Sequence, residues 1–358
     1  MIKKIINSIK HRFYYSFYRK NKKITTNIIV GKVPYFFQKI KLIRSLSPAF
    51  ISTMTKSGTW YNREFFYFYN QLILGKTSEK ILEKMISKKL KLSALIKSNF
   101  SKTGYDAFFI SHWECPNFSI NNISLKKEWK KLQYYCDYNY PSFLGQVPSN
   151  ISPKMIERRF NTKYNWNPKI NNEAKIIYFF RNPLDQSVSY FQGIQKMKLQ
   201  DLRYRVNSKG EKKLIKSIPD FIRTVGMDMY IKHFFPFKIM KEKYPNNYLL
   251  IEYESLVRNP HKIFNKIFNF LDVPLNTNEK KRCFSEALRL SNKENIIQLE
   301  NAYGRSIGGQ FMDEFVDERQ LRNGKVGKWK NYLNNDDLSF IDKKLNIFEL
   351  SLNHFIID

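Results

Sequence analysis

"AFISTMTKSGTWYN" (residues 49–62) passes from a short apolar run into Lys-Ser-Gly-Thr and then into a helical pattern. "AFIST" reads as a buried strand, and a helix is expected to begin at about Gly58. The first N–H groups of a helix have no partner within it, and the helix dipole favours negative charge at that end. The turn therefore reads as an anion cradle. Gly58 lets the backbone approach the anion, Lys56 adds a mobile positive charge, and the hydroxyls of Ser57 and Thr59 add donors. An ordinary strand-to-helix turn capped by Ser or Thr fits the same residues. The upstream glycines of a Gly-x-x-x-x-Gly-Lys-Ser/Thr loop are missing, and no acid in a Walker B setting is visible, which argues against a magnesium-dependent NTPase.

Outward from this turn, strand and helix patterns alternate. "DAFFIS" (106–111), "KIIYFF" (175–180) and "YLLIEY" (248–253) read as further buried strands. Helical stretches are expected over 58–73, 78–98, 183–198, 219–243 and 260–271. Pro183 and Pro260 stand where a first helical turn accepts proline. The pattern predicts an α/β fold of three layers, with a mostly parallel central sheet and helices on both faces. Residues 1–44 read as a basic lead-in and 45–358 as one domain. The irregular, tyrosine-rich stretch at about 115–173 reads as an insertion or lid, and the Gly-bearing 300–330 as a closing loop.

The chain has 358 residues, 42% of them hydrophobic, and a formal net charge of +31. No carboxylate precedes Glu64. Such a field raises the local concentration of anionic partners, although a lysine-rich solvated surface carries the same charge. Cys115, Cys136 and Cys283 are scattered, and neither Cys-x-x-Cys nor His-Glu-x-x-His occurs, so no zinc site, other metal site or disulfide framework is expected. That usage suits a reducing, cytoplasmic compartment. No apolar run reaches the roughly 20 residues that span a bilayer, and "MIKKIINSIKHRF" lacks the apolar core of a signal peptide. Ile2, Ile5, Ile6, Ile9, Phe13 and Phe17 recur at helical spacing. A helix docked on the body is the favoured reading, and peripheral contact with an anionic membrane is the other.

Two more constellations bear on chemistry. In "IIYFFRNPLDQSVSYF" (176–191) a buried strand delivers Arg181 at its C-terminal edge, where open α/β sheets bind ligands. Ser189 follows about two helical turns later, and this pair suits a second phosphate group. Asp185 is read as serving helix-start electrostatics. In "LRNGKVGKWKNYL" (321–333), Gly324 and Gly327 sit among Arg322, Lys325, Lys328 and Lys330, which makes either an anion nest or a solvated basic loop.

Taken together, "KSGT" (56–59), "RNPLDQSVS" (181–189) and "RNGKVGKW" (322–329) resemble, in that order, the sulfotransferases that use 3′-phosphoadenosine-5′-phosphosulfate (PAPS), especially the cytosolic type. "YLLIEYESLVRNP" (248–260) is similar to a further segment of that family. The resemblance covers about residues 48–112 and 175–333, and implies a P-loop NTPase-like α/β fold and sulfuryl transfer from PAPS to a hydroxyl or amine, with no metal. It implies that Thr55, Lys56, Ser57, Gly58 and Thr59 form the 5′-phosphosulfate cradle, with Lys56 stabilising charge on the leaving phosphate. Arg181 and Ser189 would hold the 3′-phosphate, with Arg322, Asn323 and Gly324 helping from the closing loop. Tyr253 matches a tyrosine near the adenine. Ungapped alignment puts Tyr61 in the adenine-stacking place, and Trp60 beside it also offers a ring. "FFISHWECP" carries His112 at the end of a strand, resembling the family's acceptor-side histidine, which takes the acceptor proton. Glu114 is a second candidate base. The family's basic residue after the closing-loop arginine is Asn323 here.

The acceptor stays open between a glycan, a lipid and a small phenol or alcohol. Other readings also stay open: a P-loop-type nucleotide kinase, a basic protein binding nucleic acid or a membrane surface, and a sulfotransferase-like fold without activity. Recognisable nucleic-acid motifs are absent, so nucleic acid is not an expected partner.

Overall fold

A computed structural model describes residues 48–54, 56–86, 95–97, 107–111, 115, 118, 123–136, 175–196, 204–206, 212–303 and 326–355. The lead-in 1–44, most of 115–173 and residues 304–325 lie outside the described residues.

The central sheet has the order β2-β3-β1-β4-β7. Its strands are β1 (Pro48–Thr53), β2 (Leu95–Lys97), β3 (Ala107–Ser111), β4 (Ile176–Phe180) and β7 (Tyr248–Glu252). β1 pairs in parallel with both β3 and β4, and β4 pairs in parallel with β7. β2 closes one edge antiparallel to β3. The other two strands, β5 (Tyr204–Val206) and β6 (Lys212–Leu214), form a separate hairpin. The four expected strands lie where the apolar runs put them. The helix expected over 78–98 is corrected: it ends at Ile86, and Leu95–Lys97 instead adds a strand to the edge of β3.

Strand side chains alternate between two cores, because successive residues point to opposite faces. On one face, Ile51, Ile177, Phe179, Leu249 and Ile251 pack against α1 (Thr59–Ile73), α8 (Pro260–Phe270) and α9 (Asn278–Ser291). Phe65 of α1 stacks on Phe264 of α8 with ring centres 3.6 Å apart. On the other face, Ile176, Tyr178 and Tyr248 pack against α4 (Pro183–Lys196), α6 (Met227–Lys243) and α11 (Asn335–Asn346). Tyr178 stacks on Phe237 at 3.8 Å. Each such buried ring contributes about 1.5–3 kcal/mol through burial alone. Helices on both faces of a mostly parallel sheet make the three-layer α/β fold.

Part of the stretch read as irregular is ordered into this core. A 3-10 turn (Ile123–Leu125) leads into α3 (Lys126–Tyr135), and Leu125 before the helix, Leu132 within it and Cys136 after it are buried in the core. Likewise, α5 (Ile218–Phe221) joins α6 through a π-helical segment (Ile222–Gly226), where one uninterrupted helix was expected. The chain also holds α2 (Ser78–Ile86), α7 (Tyr253–Arg258) and α10 (Lys293–Tyr303). α10 occupies the first residues of the expected 300–330 loop.

Helix ends follow local chemistry. Asn182 Oδ1 accepts the Leu184 N–H at 2.9 Å and Asn259 Oδ1 the Lys262 N–H at 3.0 Å, each just before a first-turn proline. α1 ends on Gly75 at φ 75°, with Gly75 N–H bonded to Leu72 O and Lys76 N–H to Gln71 O.

Candidate active site

The C-terminal ends of neighbouring strands β1 and β4 bring the Lys-Ser-Gly-Thr turn beside Arg181. The turn is built from unusual backbone. Lys56 has φ 69° and Gly58 φ 88°. For a lysine, that conformation costs on the order of 1–3 kcal/mol. Gly58 caps α1 with no side-chain cap bond, so the first N–H groups of the helix lack the acceptor that Ser, Thr, Asp or Asn commonly supplies. A Cβ on Gly58 would lie 3.1 Å from Tyr253 Cδ2 and 3.2 Å from its Cε2. Glycine is thus favoured by backbone conformation and by the ring packed against it.

The hydroxyls of the turn make hydrogen bonds within the protein. Ser57 is fully buried; its Oγ lies within hydrogen-bonding distance of Met54 O and, at 3.2 Å, Phe179 O. Its N–H also donates to Met54 O at 3.0 Å. Thr59 Oγ1 lies 2.7 Å from Thr53 Oγ1. These bonds tie the turn to the ends of β1 and β4. Thr55 lies outside the described residues.

Arg181 is 6% exposed. Its Nη1 makes a long bond, 3.4 Å, to Lys56 O, which links the two motifs directly. Its Nε stands 3.5 Å from Glu254 Oε1. That distance suits an ion pair, yet this N–H has no hydrogen-bond partner, so charge attraction rather than an aligned bond holds the two groups. Burial raises the Glu254 carboxyl above its ordinary range, and the Arg181 charge works against that rise. Tyr253 lies beneath the guanidinium, with its ring centre 4.9 Å from Cζ. Tyr230 adds a bond from its hydroxyl to Arg181 O at 2.9 Å. Ser189 is half-buried on the second turn of α4.

Trp60 and Tyr61 diverge. Tyr61 packs edge-on against Phe264 at 5.6 Å, and burial, then Glu64, Tyr253 and Glu294, push its hydroxyl pKa up. The Trp60 ring sits 5.0 Å from the Arg63 guanidinium. Arg63 was not singled out from sequence, because an arginine inside a helix reads as a solvated face. It donates from Nε (3.1 Å) and Nη2 (2.9 Å) to Ile110 O, near the end of β3. Burial lowers its pKa to about 10. Glu254 was missed for a similar reason: its partners lie on another strand–helix turn, where it also receives the Asn182 N–H at 3.3 Å. Asp185 does more than serve its own helix. Its carboxylate accepts the N–H groups of Gly327 and Trp329 and holds the end of the basic loop against α4.

His112, Glu114, Arg322, Asn323 and Gly324 lie outside the described residues. Among the described residues, no group of three or more His, Cys, Asp or Glu side chains is arranged to hold a metal, and no helix is long and apolar enough to cross a membrane. Cys115, Cys136 and Cys283 are buried, and none of them is in a disulfide.

The model of the sulfotransferase domain family matches residues 46–346, and the chain belongs to that family. It is 22% identical over 208 residues to cytosolic sulfotransferase 16 of Arabidopsis thaliana, covering 58% of this chain and 56% of that one. It is 22% identical over 174 residues to flavonol 3-sulfotransferase of Flaveria bidentis (48% and 54%). With the amine sulfotransferase of Oryctolagus cuniculus it shares 24% over 221 residues (61% and 64%). The chain spans about half the length of the first of these curated relatives. Among solved structures, retinol dehydratase with androsterone and the inactive cofactor PAP aligns at a TM-score of 0.43 and 15% identity, covering 84% of this chain and 80% of that one. A mouse sulfotransferase complexed with PAP aligns at 0.38 and 17%, covering 84% and 83%.

Proposed function

We propose that this chain transfers a sulfuryl group from PAPS to a hydroxyl or amine of a small-molecule acceptor. The observation that carries the reading is the adjacency of two anion grips. The uncapped start of α1 and the buried Arg181 stand at the ends of paired strands, linked by the Arg181 Nη1 to Lys56 O contact of 3.4 Å. A ligand with phosphate groups on both its 5′ and 3′ positions suits two such grips, and family membership supports the transfer.

PAPS, when bound, supplies the sulfuryl group and leaves as adenosine 3′,5′-bisphosphate. The Gly58, Thr59 and Trp60 N–H groups would hold its 5′ end. Lys56 would balance charge on the leaving phosphate, where positive charge contributes most as negative charge develops. Arg181 and Ser189, with Arg322, Asn323 and Gly324, would hold the 3′-phosphate. Tyr253 and one of Trp60 and Tyr61 would flank the base. His112 would take the acceptor proton. The flavonol and amine named for two of the relatives support a phenol or amine as the acceptor class. The basic, amphipathic lead-in fits docking on the body, and contact with anionic lipid is its second use.

Thermal shift with adenosine 3′,5′-bisphosphate against ATP tests this, on wild type, Lys56→Ala and Arg181→Ala. The bisphosphate should stabilise wild type and have less effect on both variants. Stabilisation by ATP alone, or by neither nucleotide, overturns the reading.

A further inference from the structure

Asp185 stands in the first turn of α4, midway in sequence between Arg181 and Ser189, and is 2% exposed. Its two oxygens are divided between two backbone donors on a distant segment. Oδ2 accepts the Gly327 N–H at 2.6 Å, and Oδ1 accepts the Trp329 N–H at 3.3 Å. Among the described residues it forms no ion pair, so its charge is met by main-chain dipoles. Gly327 has φ 83°, a turn conformation that sets where the following N–H groups point. Two helical turns further along the same face of α4, Gln192 Nε2 donates to the Tyr332 hydroxyl at 3.0 Å. One face of α4 thus docks the segment at both ends, and Ser189 lies between the two contacts.

We propose that Asp185 is a positioning residue for the 3′-phosphate subsite: its carboxylate clamps the 326–329 turn onto the helix face that carries Ser189. The inference rests on the reading of Arg181 and Ser189 as that subsite. A carboxylate suits this task because it offers two acceptors to two N–H groups. The amide of asparagine offers one oxygen, and its NH₂ would oppose the second N–H. Hydrogen bonds to charged groups are the stronger class, so a loosened turn should weaken ligands that use the subsite and spare those that do not.

The test compares binding of adenosine 3′,5′-bisphosphate and adenosine 5′-monophosphate by calorimetry, using wild type, Asp185→Asn, Asp185→Ala and Gln192→Ala. Asp185→Asn is nearly isosteric and carries the reading if Asp185→Ala does not fold. The expected result is a loss of about 10-fold or more for the bisphosphate in the Asp185 variants, with the monophosphate changed by less than about 2-fold on the same scale. Gln192→Ala should show a smaller bisphosphate loss. In turnover, KM for PAPS should rise while KM for the acceptor holds. Equal losses for both nucleotides would mean that Asp185 only supports the fold, and no loss would mean that the turn is held without it; either overturns the inference. If wild type does not prefer the bisphosphate, the 3′-phosphate subsite itself fails, and this inference fails with it.

Discussion

The Arg181 guanidinium and the Glu254 carboxylate face each other across the ends of β4 and β7, 3.5 Å apart, with side chains only 7% and 5% exposed. Glu254 also receives the Asn182 N–H on both oxygens, at 3.3 and 3.4 Å. One carboxylate therefore ties the turn after β4 to the turn after β7. Removing one partner of a buried pair leaves the other charge uncompensated, which costs about 3–5 kcal/mol. Glu254→Gln should lower stability by an amount of that order in urea denaturation. A loss below about 1 kcal/mol, the range of an exposed pair, would mean that water reaches Arg181 freely.

Gly58 meets two constraints at once, a φ of 88° and a tyrosine ring within 3.1 Å of any added Cβ. The left-handed backbone alone costs a non-glycine residue about 1–2 kcal/mol. Gly58→Ala should stay folded with reduced stability and lose the thermal shift produced by adenosine 3′,5′-bisphosphate. An alanine variant that binds the bisphosphate like wild type would show that the start of α1 does not grip the ligand.

Glu252 ends β7 and is pushed up from 4.5 to about 7, by burial first and then by neighbouring Glu254. Between about pH 4.5 and 7 the folded chain holds this proton and the unfolded chain does not, so stability falls as pH rises through that window. Glu252→Gln should remove this component, raising the melting temperature relative to wild type at pH 8 and not at pH 4.5. The group is half-buried, so solvent screening keeps the effect modest. An equal effect of the substitution at both pH values would remove the titration from the account.

The sheet was readable because its strands are apolar runs closed by turn chemistry. "IIYFF" ends at Arg-Asn-Pro, where Asn182 caps and Pro183 opens the next helix, and both features are local. "LIK" at 95–97 was not readable, since a three-residue strand at a sheet edge exists only through its partner β3. The Lys126–Tyr135 helix was hidden by its lysines, which leave a narrow stripe of apolar residues facing the core. At the site, Lys56, Gly58 and Arg181 follow from chain-local patterns. The bonding of the Ser57 and Thr59 hydroxyls within the protein does not, because it depends on carbonyl and hydroxyl groups at the ends of β1 and β4. The Asp185 clamp joins residues 142 positions apart, a relationship that residue spacing does not encode.

Arg63 gives a final prediction of this non-local kind. Its fork donates twice to Ile110 O, and its guanidinium lies against the Trp60 ring. Burial lowers its pKa. The side chain therefore joins the first turns of α1 to the end of β3, the strand that leads to His112. A base displaced by about 1 Å can cost on the order of 100-fold in rate. Arg63→Ala should accordingly reduce kcat for sulfuryl transfer by about 10-fold or more, while the affinity for adenosine 3′,5′-bisphosphate holds. Arg63→Lys should not restore it, since an ammonium cannot reproduce the two-pronged contact with one carbonyl. Full turnover in Arg63→Ala would separate the end of β3 from the reaction, and lost nucleotide affinity would assign Arg63 to the cofactor side.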